Sequence, residues 1–325
     1  MRHPNGRICG RGAISQTAFL TRGLVLAAVD VIAEKTWRKA AHAHAARVES
    51  YVSTHLARRE AGIKHPVHDF LFTYYSHRPA ALRQWHPGYG VGLAGAMSYD
   101  SMRGYAVSAD GVATVCDDHL GQQVPLLRRL LTLLCATASR PGTFGCFGLH
   151  EWAMVYRSAE TRHDWPLRLG SSGTDAVVDS HRIGCSHFDA FRFFTAPARP
   201  LNTLQPGRDD RASYEQPGCL HANMDLYGKV AVRLMPLIAS ALLMDAFELA
   251  WDIRILDMRA APYDLTGIVL DPTGEPWTPV CIETADGKAE YVTAQKAFSE
   301  RARPIRERLV VECERLLAAA GPPAR

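Results

Sequence analysis

The sequence contains no C-x-x-C pair, no apolar stretch of membrane-spanning length and no low-complexity tract. Its eight cysteines are scattered through 325 residues, so neither a disulfide framework nor a zinc ribbon is expected and the thiols read as free. The most apolar N-terminal stretch, residues 19–33, is interrupted by Arg22 and Asp30, too polar for a membrane span and a poor secretory core. No membrane partner and a cytoplasmic location follow as expectations. No G-x-G-x-x-G follows a clear strand, and no lysine follows the glycines of residues 144–148 as a phosphate-binding loop requires. There is no H-E-x-x-H, and the single E-x-x-H, Glu160 to His163, is half of what a carboxylate-bridged di-iron bundle uses. Charge of one sign is also lacking: a net +4 neither demands nor excludes a polyanionic partner.

What is present is a hydrophobic content of 47%, enough to fill a large core. The patterning predicts a mainly α protein with a small β component (α+β), as one helical domain over residues 15–325 behind a loose tail, residues 1–14. Apolar residues recur at three- and four-residue steps over residues 15–62, and leucines crowd residues 122–137 around Arg128 and Arg129. Residues 220–258 and 294–320 also read as helix. The β-branched and aromatic content of residues 175–195 favours short strands.

Chemistry concentrates in three segments that pair histidine with a carboxylate. His150 and Glu151 follow a glycine-rich turn and open a helix, near free backbone N–H groups. Extended backbone would place His187 and Asp189 on one face, with Arg192 on the other. In a helix starting near residue 220, His221 and Asp225 stand one turn apart. Taken singly, each pair has a plain alternative: a stabilised helix start, a structural ion pair, a local polar contact. An acidic stripe, Asp245, Glu248 and Asp252, followed by Arg254, Asp257 and Arg259, reads first as a solvated helix face. Asp69 lies near the positive end of a short helix opened by Pro66.

The segments His65-Pro66-Val67-His68-Asp69-Phe70-Leu71-Phe72-Thr73-Tyr74-Tyr75, Phe144-Gly145-Cys146-Phe147-Gly148-Leu149-His150-Glu151-Trp152, His187-Phe188-Asp189-Ala190-Phe191-Arg192 and His221-Ala222-Asn223-Met224-Asp225-Leu226-Tyr227 resemble actinobacterial proteins labelled 3-methyladenine DNA glycosylase, a lineage without the helix-hairpin-helix motif. The resemblance implies excision of an alkylated purine from DNA, without a cofactor. On that reading Trp152, Tyr156, Tyr74, Tyr75 and Trp85 are candidates for stacking on the cationic base, with Asp69 and Arg192 as further binding residues. Asp189 or Asp225 would stabilise the oxocarbenium charge, and His187, His221, His150 and Glu151 would serve acid–base roles.

Two other readings use the same residues. A metal-dependent oxidase or hydrolase acting on a small molecule would hold a divalent metal through His150, Glu151, His187, Asp189, His221 and Asp225, provided these converge. A non-catalytic binding protein would bury them as polar pairs around a ligand cavity.

Overall fold

The computed structural model describes residues 29–161 and 163–321. The expected tail, and the part of the first helix placed before residue 29, lie outside them. The fold is mainly helical, with strands confined to two small sheets.

A long helix α1 (Glu34–Glu60) is followed by short helices α2 (Asp69–Thr73) and α3 (Pro79–Arg83). Strands β1 (Asp30–Ile32), β2 (Val91–Leu93), β3 (Tyr105–Val107) and β4 (Ala113–Val115) form a sheet of order β1-β2-β4-β3. β1 runs parallel to β2, Asp30 opposite Val91, while β4 pairs antiparallel with both β2 and β3. Helix α4 (Asp117–Ala138) follows, opened by Asp117 and Asp118 at the positive end of its dipole. Short helices α5 (Leu149–Ala153), α6 (Gly170–Asp179), α7 (Phe188–Phe191) and α8 (Arg211–Tyr214) lead to α9 (Leu220–Asp225). A π-type turn, Leu226–Ala231, joins α9 to the brief α10 (Val232–Leu234). Then come the central α11 (Ser240–Arg259), the hairpin β5 (Val269–Leu270) and β6 (Glu275–Pro276), and α12 (Ala285–Ala319).

Helix α11 is buried on nearly every side, as its apolar run from Leu242 to Met258 requires, and packs against α12, α9 and the π-type turn; α4 closes over α12. Its acidic stripe is a clamp. Arg47 of α1 reaches Asp245 at 2.9 Å and Glu248 at 2.6 Å, while Arg308 and Arg301 of α12 bind Asp245 and Asp252. A smaller apolar cluster around Val67, Val155, Tyr263 and Trp277 seals the hairpin side.

Three sequence expectations are corrected. Residues 175–195 contain no strand: α6 and α7 occupy this stretch, and Ile183 makes only an isolated bridge to Asn202. Phe191 and Phe194 are buried by helix packing and meet at 5.2 Å, with Phe188 and Phe193 half-buried, so tertiary burial overrides β propensity. The first helix begins at Glu34, after β1, because Asp30–Ile32 adds to the edge of β2. Residues 220–258 are likewise not one helix; the chain breaks between Leu234 and Ser240, around Pro236. Among the described residues no helix is long and apolar enough to cross a membrane.

Candidate functional site

Three elements far apart in sequence bring His150, His187 and His221 together. Gly148, with φ +71°, turns the chain into α5 so that His150 sits in its first turn; a Cβ there would lie 3.2 Å from that of Ala260. His187 is the residue before α7, and His221 lies in the first turn of α9. The His221 ring stands edge-on to His150, centroids 4.4 Å apart, and stacks on His187 at 5.3 Å.

The carboxylate partners are not the sequence neighbours. His150 Nε2 meets Asp257 Oδ1 at 2.9 Å, from the last turn of α11, and Arg254 Nη1 donates to Asp257 Oδ2 at 2.6 Å. Glu151 points toward Arg254 at 3.7 Å and leaves its buried Oε2 without a partner. His187 Nε2 meets Asp225 Oδ2 at 3.0 Å and has Glu215 at 3.6 Å. Arg211 bridges Asp225 and Glu215, and the Tyr75 hydroxyl donates to Asp225 Oδ1 at 3.1 Å. Tyr75 reaches that oxygen because residue 228 is glycine: a Cβ there would fall 1.9 Å from the Tyr75 ring. π-type turns such as Leu226–Ala231 recur at functional sites, and this one starts directly after Asp225.

The electrostatics divide the three imidazoles. Burial would depress His150, but the Asp257 carboxylate overrides it and holds the ring well above the ordinary histidine value. Burial also opposes charge on His187, and Glu215 with Asp225 reverses that and raises it. His221 has no such partner: burial, then the nearby His150, pushes it down to about 3, so it is a neutral imidazole. Burial alone would raise Asp225 and Asp257; their histidine and arginine partners hold both well below the carboxylate range.

Two groups have donor atoms close enough to share a cation: His150, His221 and Asp257, and His187, Glu215 and Asp225, each set within 4.8 Å. Metal–ligand distances near 2 Å place tetrahedral ligand atoms about 3.3 Å apart, so both groups are compact enough. The first fits better. The His221 ring makes no hydrogen bond among the described residues, Asp257 turns one oxygen toward His150, and Arg254 anchors the other. In the second, His187 and Arg211 already share Asp225 Oδ2. A third group, His65, His68 and Asp271, is structural. His65 Nε2 binds Val269 O, its Nδ1 accepts from Val67 and His68, and His68 Nε2 accepts from Asp271 N. A cavity of about 10 Å³, lined by His150, His221, Cys146, Ser186 and Gln295, adjoins the first group and has room for about one water.

The remaining expected residues scatter. Asp189 does not pair with His187; in the first turn of α7 it faces Arg192 at 3.2 Å and Lys229 at 3.7 Å, because the segment is helical and not extended. Trp152 is wholly buried and its Nε1 donates to Ala260 O, while the Tyr156 hydroxyl donates to Asp179. Asp69 accepts from His65 N and meets His55, and Trp85 lies beside Tyr99. Of the aromatic candidates, Tyr75 reaches the cluster and Tyr74 flanks it, at 4.9 Å from Tyr75. Missed in the sequence were Glu215 and Arg211, signalled only by their i,i+4 spacing; Arg254 and Asp257, at i,i+3, stood inside a stripe read as solvated. No protein-family model, curated protein or solved structure matches the chain.

Proposed function

We propose that this protein is a metal-dependent enzyme acting on a small molecule, with His150, His221 and Asp257 as ligands of a divalent transition metal. The observation that carries this is the convergence of two histidines from two elements, His150 and His221, on Asp257, a carboxylate that Arg254 orients from behind. Two imidazoles and one carboxylate suit zinc or non-haem iron and leave positions open for water or substrate. The bound metal would polarise substrate and lower the pKa of water. Around it, Glu151 offers a carboxylate oxygen free to take a proton, and His187, held by Asp225 and Glu215, offers a proton to give. Elemental analysis of protein purified without chelator tests the reading. About one zinc or iron per chain is expected, lost in His221→Ala and Asp257→Asn. A folded wild type that takes up neither metal refutes it. Zinc would assign hydrolysis, and iron oxidation.

The alkylpurine glycosylase reading ranks second. The resemblance supports it, as does one observation, that Asp225 lies beside Tyr75 and Tyr74. It requires a chamber for a flipped base, however, and Trp152 and Tyr156 are committed to internal hydrogen bonds. Release of 3-methyladenine from methylated duplex DNA, abolished in Asp225→Asn, would reverse the ranking.

A further inference from the structure

Outside the histidine cluster, the helix pair α4 and α10 borders two cavities that share Leu126 and Arg233. One, of about 500 Å³, is lined by Arg128, Arg129, Arg208, Arg211, Lys229 and Arg233 against a single acid, Asp209. The other, of about 810 Å³, carries Arg78, Arg103, His77, His86 and His119 with Arg233, and no acid at all. Elsewhere on the molecule the arginines are mostly engaged: Arg47, Arg83, Arg168, Arg254, Arg301 and Arg308 all hold carboxylates. Among the described residues, none of Arg78, Arg103, Arg128, Arg129, Arg208 and Arg233 does. In the second cavity the Nε2 atoms of His77 and His119 are buried without a partner. On a chain of net charge +4, these guanidiniums without carboxylate partners share one groove, where they repel each other. Burial, then Arg129 and Arg211, lowers the Arg233 pKa accordingly.

We propose that this groove binds an oligophosphate chain, with Arg233 at the junction of the two cavities and Arg129 and Arg208 gripping the outer end. Guanidinium forks match phosphoryl oxygens in charge and geometry, and a chain of phosphoryl groups spans cations that one anion cannot. Neither cavity contains Phe, Tyr or Trp, so the stacking platform on which single-stranded nucleic acid binding depends is missing. Arg211 lines the groove on one side and binds Asp225 and Glu215 on the other, so a ligand here would sit against the buried cluster. The proposal goes beyond the metal reading and stands without it.

Calorimetric titration of the full chain at low salt, with tripolyphosphate, ATP and a short single-stranded oligonucleotide in separate arms, tests it. Saturable binding of tripolyphosphate or ATP is expected, weakened about tenfold or more by Arg233→Glu and by the milder Arg129→Gln, and unchanged by Arg59→Ala on the exposed end of α1. Equal binding of the two phosphates assigns the phosphate chain alone as the determinant; tighter ATP adds a nucleoside. Absence of saturable binding by either overturns the proposal, as does an affinity indifferent to both substitutions in folded protein. Binding of the oligonucleotide alone overturns it in favour of nucleic acid.

Discussion

The most informative single perturbation is Asp257→Asn. Asp257 is wholly buried, and its two oxygens serve two cations, His150 at 2.9 Å and Arg254 at 2.6 Å. Asparagine keeps the shape and removes the charge, so Arg254 is left in the core with only Glu151, at 3.7 Å, to answer it. Removing one partner of a buried ion pair costs about 3–5 kcal/mol, chiefly because the other charge stays stranded. The residual Glu151 contact places the expectation toward the lower figure. Urea unfolding followed by tryptophan fluorescence measures it, and Trp251, one turn before Arg254 on α11, reports on this helix. The decisive comparison is a cycle with Arg254→Met. Because Phe70 already packs against the Arg254 guanidinium at 4.1 Å, methionine can occupy that space, and the double variant should be less destabilised than the two singles combined. A coupling of about 2 kcal/mol is expected for groups in one buried network. Additive losses, or a loss under about 1 kcal/mol for Asp257→Asn, would refute the claim that Arg254 and Asp257 form a mutually dependent buried pair.

Gly228→Ala should destabilise by about 1–3 kcal/mol, since the new methyl falls within the Tyr75 ring and that ring must leave Asp225; Tyr75→Phe, which removes only the hydrogen bond, should cost about 1 kcal/mol. Equal losses in the two, read from denaturant midpoints, would contradict the steric account. Acid lability should set in early: burial pushes His68 down to about 2 and His77 and His86 to about 4, so all three are neutral in the fold and protonate near 6.5 when unfolded. Their contribution is complete above about pH 6.5 and is lost as pH falls toward 4, at up to about 1.4 kcal/mol per pH unit for each. The raised His150 and His187 act in the opposite sense only above 6.5, so a flat urea midpoint between pH 6.5 and 5 would refute this. Arg47→Ala should cost no more than about 1 kcal/mol, because its pairs with Asp245 and Glu248 are part-exposed, and added salt should shrink the difference from wild type.

The helices were legible where periodicity and composition agreed: the leucine-rich α4 and the apolar α11 bury the faces their patterns name. The sequence also singled out His150, His187 and His221 as candidates, being histidines in aromatic, glycine-punctuated segments, but whether they gather depends on the tertiary fold. The pairing was not legible. Each histidine had a carboxylate one, two or four residues away, and none of the three uses it as a hydrogen-bond partner; Asp257 is 107 residues from His150, and Asp225 is 38 from His187. Local spacing describes which side chains share a face, whereas partners across elements depend on how α11 and α9 cross, which no short pattern encodes. The same reason hid Glu215, and the strands misplaced at residues 175–195 show aromatic content responding to burial, whatever the backbone conformation.

Stability does not explain why such a cluster exists. Four carboxylates, two arginines and three histidines occupy the space between α5, α7, α8, α9 and α11, where apolar side chains of equal volume would fold as well or better. Its partners are nearly all committed; among the described residues Glu151 Oε2, His187 Nδ1 and Arg254 Nε are buried without one, and the His221 ring makes no hydrogen bond while bordering the small cavity. Unsatisfied polar atoms cost about 1–3 kcal/mol each when buried, and others lie elsewhere in the molecule, at His77, His119 and Trp277 among them, so an open polar atom does not by itself single out this cluster. Here the open acceptor, the neutral imidazole and the space for a water lie around His150 and Asp257, with Arg211 connecting the far side to a cation-lined groove. That coincidence of an open acceptor, a neutral imidazole and a water-sized cavity is what the metal proposal rests on, and it makes His221, the one histidine of the three without a carboxylate hydrogen bond among the described residues, the residue whose substitution tests it first.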